Sequence, residues 1–441
     1  MRIHDIFFWA SVFFLAGVLI ASATGNILTA AILILLTLAT LPFLSLKFLP
    51  LPRGVVALGL VMFLGASYYF AYDYYTQDRQ IIFDKKVEFT GIVSATENGI
   101  RGQKVVVDDI QLSVPQYPVY EYGDRVKITG KIQHVPDQLK NYFTKEGIFG
   151  LMLRPEVAVL TKNQGYLIKA RLLKIKDFFE ATFQKVLPFN QATFMSGLIL
   201  GDTSMFTDDF KEAMRLSGTS HLVALSGFNI SIIVKTILGI LGTWWVTKRF
   251  RFPIAVLFIV SFVIMTGAQA SVVRAAIMAG LVLLADKTGR VFYFRNAVAA
   301  AALVMVLINP LILVFDVGFQ LSFAALLGIV YLRPFIQKWL NLKDEPGIFQ
   351  WREHFLNTSS AQLAVLPLLL YQFGYFSPIG IISNILILEF IPLTMALGFF
   401  IGFAAIFSMT LTWIISWPTS VFLGYELGVI HWCSRIINYI L

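Results

Sequence analysis

The chain has 441 residues, of which 57% are hydrophobic and only 14% charged, against roughly 45–50% and 25% in soluble proteins. That balance excludes a soluble enzyme. The net charge of +9 would point to nucleic acid in a soluble protein, but in a membrane protein much of it follows from the bias of Lys and Arg toward cytoplasmic loops.

Residues 6–22, 27–46 and 55–72 are apolar runs near the length a helix needs to cross a hydrocarbon core of ~30 Å, so residues 1–75 are predicted to hold three transmembrane helices. A second span follows the first at once, which reads as an anchor rather than a cleaved signal. Arg2 precedes the first helix, Lys47 and Arg53 lie between the second and third, and the Thr24-Gly25-Asn26 turn carries no charge. The excess of positive charge then puts the N-terminus inside and the residues after Tyr72 outside.

Over residues 76–163 the pattern changes to short β-branched runs, KVEFTGIVSA, QKVVVDDIQL, DRVKITGKI and LMLRPEVAVL, separated by Gly, Pro and Asn. Roughly five strands with a small helix over residues 139–146 fit a small extracytoplasmic β-barrel of the OB type. Its charges nearly cancel, with 12 Lys and Arg against 11 Asp and Glu over residues 77–163. Tyr117, Tyr120, Tyr122 and Tyr142, with Phe143 and Phe149, offer stacking faces for a single strand; the alternative is that these rings fill a small core.

Residues 164–190 carry apolar side chains at Ile168, Leu172, Ile175, Phe179, Phe183 and Val186, with Lys169, Arg171, Lys174, Lys176 and Lys185 on other faces. Such a helix suits the headgroup plane of a bilayer, or packs on the barrel. From 191 to 441 apolar runs resume at 220–246, 253–285, 297–313, 317–331, 355–371, 379–407 and 421–441. The second and sixth are long enough to break, at Gly267-Ala268-Gln269 and near Ile391-Pro392. The fold class is therefore a polytopic α-helical membrane protein of about eleven or twelve crossings. Three basic clusters (Lys248, Arg249, Arg251; Lys287, Arg290, Arg295; Arg333, Lys338, Lys343, Arg352) are each two crossings apart, and all fall inside if the barrel is outside.

The single cysteine, Cys433, rules out an intramolecular disulfide and a Cys-based metal cluster, and the five histidines show no metal-ligand spacing. No metal or cofactor is expected. The informative residues are polar ones inside apolar helices, which are expensive in hydrocarbon and tend to face a bundle interior or a water-filled path. In SGTSHLVALSGFNIS (217–231), Gly218 and Gly227 interrupt a segment that also carries Ser220, His221, Ser226 and Asn229. A helix broken at membrane depth needs a protein or water lining; a glycine-mediated helix contact with Ser and Asn as hydrogen-bonding glue is the alternative.

In QASVVRAAIMAG (269–280), Arg274 is a permanent cation among small residues, suited to bidentate phosphate contacts in a pore, or else to a structural pair with Asp316 or Asp202. In FDVGFQLSFAALLGI (315–329), Asp316 and Gln320 lie four apart, as on one helical face, with Ser322 close by. Gln362, Asn384, Glu389 and Glu426 are later polar points. The two glutamates read as bundle-internal structural residues, since carboxylates repel phosphate.

Those segments, with QLAVLPLLLYQFGYFSPIGIISNIL, resemble the ComEC family of DNA-uptake channels in order and spacing over about residues 196–400, and GDRVKITGKI through LKNYFTKEGIFGLM resembles that family's extracytoplasmic domain. The resemblance implies a multi-pass protein of the cytoplasmic membrane that conducts single-stranded DNA inward during transformation. It implies a path lined by His221, Ser226, Asn229, Arg274, Gln320, Ser322, Gln362 and Asn384, with Asp202, Gly218, Gly227 and Asp316 structural or gating. Besides DNA and the bilayer, it implies a separate DNA receptor and a separate cytoplasmic helicase-like ATPase, because the sequence has no G-x-x-x-x-G-K-[ST] loop.

Two features depart from the family. The H-x-H-x-D-H motif of a metallo-β-lactamase-like domain is absent, so any nuclease is expected to be a separate protein. The disulfide of some family barrels is excluded by the lack of cysteine in that region. Two other readings stay open: a transporter of another anion, such as a polymer precursor or lipid headgroup, and an intramembrane hydrolase using His221 with Ser220 or Ser226. The second lacks an orienting partner for the base, and no catalytic residue is expected.

Overall fold

The computed structural model describes residues 3–40, 52–77, 81–225, 227, 229–230, 232, 239, 248–289, 291–341 and 350–440. The first three helices are α1 (Ile3–Thr24), α2 (Ile27–Thr40) and α3 (Pro52–Gln77). Gly25, at φ +59°, makes the turn between the first two. Helices α1 and α3 pack backbone to backbone: a Cβ on Gly17 would strike the Met62 carbonyl oxygen, and one on Gly65 the Phe14 carbonyl oxygen. Small residues at such crossings gain van der Waals contact where lipid supplies no hydrophobic drive.

Residues 86–161 form a six-stranded mixed sheet: β1 (Lys86–Gly99), β2 (Gly102–Val107), β3 (Ile110–Val114), β4 (Arg125–Lys131), β5 (Gly150–Leu153) and β6 (Glu156–Thr161). The order is β5-β3-β2-β1-β4-β6, with β3 and β5 parallel. The long β1 serves two partners, giving residues 86–92 to β4 and 93–99 to β2 across a bulge at Val93/Ala95; a bulge bends its strand and increases twist. Val105, Val107, Leu112, Val114, Val126 and Ile128 point inward at period two and build the sheet's core.

The expected barrel is met only in part. The pairing leaves β5 and β6 as the two ends, and the isolated bridge Gln133–Leu151 is the link from the chain after β4 back to β5. The strand count also exceeds the roughly five expected. QKVVVDDIQL folds as a hairpin with Asp108 at φ +51°, and LMLRPEVAVL divides at Arg154, φ +49°. The small helix falls where expected, as α4 (Lys140–Lys145) after a 3-10 turn at Asp137–Leu139.

Helix α5 (Leu167–Val186) leads into α6 (Phe189–Leu200) and α7 (Asp208–Leu216). Its inner face, Phe179, Phe183 and Val186, joins the largest hydrophobic core with Phe194, Met195, Leu198, Met395 and Leu423. Its outer face leaves Ile168, Ile175 and Phe178 exposed, so the helix is packed along one side and bare along the other. Lys169 Nζ donates to the Ser94 carbonyl at 3.0 Å and anchors the start of α5 on β1.

The remaining helices are α8 (Lys248–Met265), α9 (Ala270–Thr288), α10 (Phe294–Ile308), α11 (Ile312–Phe315), α12 (Val317–Trp339), α13 (Trp351–Phe373), α14 (Gly380–Ile387), α15 (Ile391–Phe407) and α16 (Met409–Ile440). Both expected breaks occur: Gly267 and Ala268 at φ +75° and +54° separate α8 from α9, and α14 meets α15 at 54°. Among the described residues, three helices are long and apolar enough to cross a membrane (His4–Thr24, Val56–Thr76, Val317–Trp339), or four with that bent pair. Of the other expected crossings, the runs at 27–46 and 220–246 lie partly outside the described residues, and others fold as shorter apolar helices such as Phe250–Met265 and Phe294–Ile308.

Candidate functional site

The α6–α7 connection opens on Gly201, which caps α6 at φ +71° and puts Asp202 at the start of the turn. Asp202 Oδ1 accepts from Ser204 N at 2.9 Å, and Oδ2 lies 2.7 Å from Lys176 Nζ. Burial would raise the Asp202 pKa, but Lys176 outweighs it and holds the carboxyl below the usual range. For Glu180, 3.6 Å from the same ammonium, burial outweighs Lys176 and drives the pKa up to about 8. The next residues, with Lys211 on α7, Ser220 and Gln269, line an open cleft of about 340 Å³. The β1–β2 hairpin meets the start of α7 through Arg101, whose Nη2 lies 2.7 Å from Asp208 Oδ2.

The expected broken segment begins at Ser217. Gly218 sits at φ +70°, and a Cβ there would lie 2.7 Å from Gly380 Cα. Ser383 Oγ donates to the Ser217 carbonyl at 2.7 Å, and Ser377 Oγ donates to that of Leu216. A Cβ on Gly380 would meet Gln362 Nε2 at 2.7 Å. Gln362 Oε1 and the Oδ1 of Asn384, a residue only 1% exposed, are buried without a hydrogen-bond partner among the described residues. Gly218, Gly380 and Gln362 therefore meet where the chain bends. Asn229 Nδ2 donates to the Leu198 carbonyl at 3.0 Å and ties the segment to α6. His221 is exposed on a 3-10 turn at Ser220–Leu222, and Ser226 lies outside the described residues.

Arg274, 8% exposed, lies in the second turn of α9. Its Nη1 donates to the Ser322 carbonyl, and its guanidinium carbon is 5.6 Å from the centre of the Phe323 ring. Its other terminal nitrogen lies toward Gly227, where a Cβ would be 3.7 Å away. No carboxylate among the described residues pairs with it. The alternative pairing with Asp316 or Asp202 is not made, since Lys145 holds the first at 2.8 Å and Lys176 the second. A guanidinium keeps its charge even when buried. This one meets a carbonyl and a ring and retains donors to spend.

Two sequence expectations change. Asp316 and Gln320 do not share a helical face: Asp316 is the N-cap of α12 and accepts from Phe319 N at 3.0 Å, while Gln320 Nε2 folds back to the Val314 and Leu313 carbonyls at 2.7 and 3.2 Å. Ser322 accepts from Arg274 through its backbone carbonyl. Tyr120 is 5% exposed and packed in the sheet's core, its hydroxyl donating to the Val157 carbonyl at 3.3 Å. The Tyr122 ring is covered by Lys169 Nζ at 4.5 Å. Tyr117, 75% exposed, keeps an open ring, and Tyr142, 54% exposed, has Lys145 Nζ 5.1 Å from the centre of its ring.

Sequence reasoning missed Lys145, Lys176, Ser377 and Ser383, whose partners are far off in the chain. Of the later glutamates, Glu389 pairs with His354 at 3.0 Å and Glu426 accepts from Thr394 Oγ1 at 2.6 Å.

Membrane-length apolar helices, a mixed sheet joined to them through α4, and a buried arginine beside a broken segment define a helical membrane protein with an internal polar site. Its residues 198–441, more than half of the chain, match the family described as Competence protein, and the chain belongs to that family. It is also 28% identical over 270 residues to ComE operon protein 3 of Bacillus subtilis (strain 168). That alignment covers 61% of this chain and 33% of the relative, so the chain spans about a third of the length of the curated relative it matches. No solved structure matches it. The resemblance drawn from the four motifs therefore holds at the level of family.

Proposed function

We propose that the chain is a conduit for single-stranded DNA across the cytoplasmic membrane, with Arg274 as the cation that meets passing phosphates. The observation that carries this reading is the arginine's isolation: a buried guanidinium, bonded to a carbonyl, beside Gly227 and within two helical turns of the cleft residue Gln269. A cation neutralised by a carboxylate would have nothing to offer a polyanion. Membership of a DNA-uptake family supports the choice of polyanion.

In this reading residues 1–75 are the N-terminal helices, 76–163 an OB-like module outside, 164–190 a helix seated at the membrane interface, and 191–441 the channel core. Two contacts favour that arrangement. Asp5 lies 2.5 Å from Arg295, which keeps the N-terminus beside a basic cluster assigned to the inside. Lys145 meets Asp316 at the far end of α10, which keeps the sheet on the opposite side. The strand enters at the cleft and passes Gln269 before Arg274. An inside-negative potential opposes inward phosphate by ~2.3 kcal/mol per charge per 100 mV, so a separate cytoplasmic ATPase supplies the work, and a separate receptor delivers the DNA.

The test is deletion of the chain in a transformable host. Surface-bound DNA remains and nuclease-protected DNA disappears; undiminished protected DNA refutes the reading. A second reading, transport of another anion, rests on the same arginine, because guanidinium recognises any phosphate or carboxylate. Substrate-stimulated flux of a polymer precursor or lipid headgroup in DNA-free liposomes favours it instead.

A further inference from the structure

The Lys145 ammonium, in the last turn of α4, reaches from the sheet region to the membrane helices. It lies 2.8 Å from Asp316 Oδ2, with side chains only 11% and 13% exposed. The other oxygen of Asp316 is already engaged as the N-cap of α12, accepting from Phe319 N at 3.0 Å. Asn309 binds the backbone of the same lysine, its Nδ2 donating to the Lys145 carbonyl at 2.9 Å, while its Oδ1 accepts from Leu311 N at 3.0 Å. Gln320 closes the Leu313 and Val314 carbonyls. The polar side chains from Asn309 to Gln320 thus fasten the connection between α10 and α12 to itself and to α4.

Six residues beyond Asp316, about 9 Å along the helix, α12 presents the Ser322 carbonyl that accepts from Arg274. We infer that Lys145 is a positioning residue for Arg274: by holding the Asp316 cap it fixes the height and rotation of α12, and so the carbonyl that aims the guanidinium. The inference rests on the conduit reading above. It adds that the sheet region sets the geometry of the membrane site through one ion pair.

Alternative partners do not dissolve the assignment. Lys145 also touches Glu146 at 3.0 Å, but that carboxylate is half-exposed and its own neighbour in sequence, so it cannot tie α4 to α12. Pairing with Asp316 and Glu146 outweighs burial and holds the Lys145 pKa above the ordinary lysine range. The Tyr142 ring, 5.1 Å from the ammonium, covers it further.

The experiment measures nuclease-protected DNA uptake and the melting temperature of the purified full chain for wild type, Lys145→Met, Lys145→Arg, Asp316→Asn and the double variant Lys145→Met/Asp316→Asn. Asparagine retains the cap and removes the ion pair. Lys145→Met is expected to lower uptake by about tenfold or more, the scale on which distant supports affect a geometry they hold, and to lower the melting temperature because Asp316 is left buried and unpaired. Lys145→Arg keeps both near wild type.

The double variant separates the two roles. It is expected to regain melting temperature, since neither buried charge is stranded, while uptake stays low because the tether is still missing. Recovery of both together would mean the pair is purely structural and would overturn the inference, as would normal uptake in Lys145→Met. Uptake unaffected by deletion of the whole chain would instead refute the conduit reading, so the two failures are distinguishable.

Discussion

The Lys176 ammonium lies 2.7 Å from Asp202 Oδ2 and so fastens α5 to the turn that lines the cleft. Both side chains are about four-fifths covered, at 21% and 17% exposed. Removing one partner leaves a mostly buried charge. Lys176→Met is expected to destabilise the protein by roughly 2–3 kcal/mol, somewhat under the value for fully buried pairs, and adding Asp202→Asn is expected to recover part of it. Thermal unfolding in a lipid nanodisc checks the cycle.

Glu180 gives this cluster a pH dependence. Its pKa rises from 4.5 to about 8 because it is buried, with Lys176 opposing and Asp202 and Asp177 adding to the rise. The folded state therefore binds more protons than the unfolded chain between those values, and stability falls as pH rises through that window. The melting temperature of wild type is expected to decline from pH 5 to pH 8, and that of Glu180→Gln to decline less. Equal slopes would show that Glu180 titrates normally.

The two glycines of the broken segment are not equivalent. At Gly218 a side chain meets both a left-handed backbone and the Gly380 backbone at 2.7 Å, whereas at Gly227 a Cβ would find Ala275 Cβ at an ordinary 3.6 Å. Gly218→Ala is expected to cost about 2–4 kcal/mol from backbone strain and overpacking together, and Gly227→Ala to be tolerated. Membrane abundance and unfolding of the two variants decide between them.

On the sheet, exposure separates the tyrosines. Loss of a stacking platform weakens single-strand binding by about 1–3 kcal/mol per base, so Tyr117→Ala and Tyr142→Ala are expected to weaken oligonucleotide binding at unchanged stability. Tyr120→Ala is expected to lower stability instead. Fluorescence titration of the full chain with a labelled single strand, beside its melting curve, reads both.

What was legible in the sequence was local. The break at Gly267-Ala268-Gln269 announced itself by glycine inside an apolar run, and the helix ending at Lys145 by its spacing between strands. Asp316 was misread because four-residue spacing to Gln320 implies a shared face only if both lie inside a helix; Asp before an apolar run also signals an N-cap. The partners of Lys145 and Arg274 lie 171 and 48 residues away, and periodicity carries no information about such pairings. Tyr120 and Tyr117 look alike in sequence, and only the sheet's folding buries one and leaves the other in solvent.

The central claim is that Arg274 acts on the passing strand rather than on the fold. Uptake of fluorescent DNA, with surface-bound DNA removed by nuclease, tests it in cells carrying wild type or Arg274→Gln at matched membrane abundance. The account expects Arg274→Gln to retain surface binding and lose most protected fluorescence. Protected fluorescence equal to wild type, at equal abundance, would contradict it.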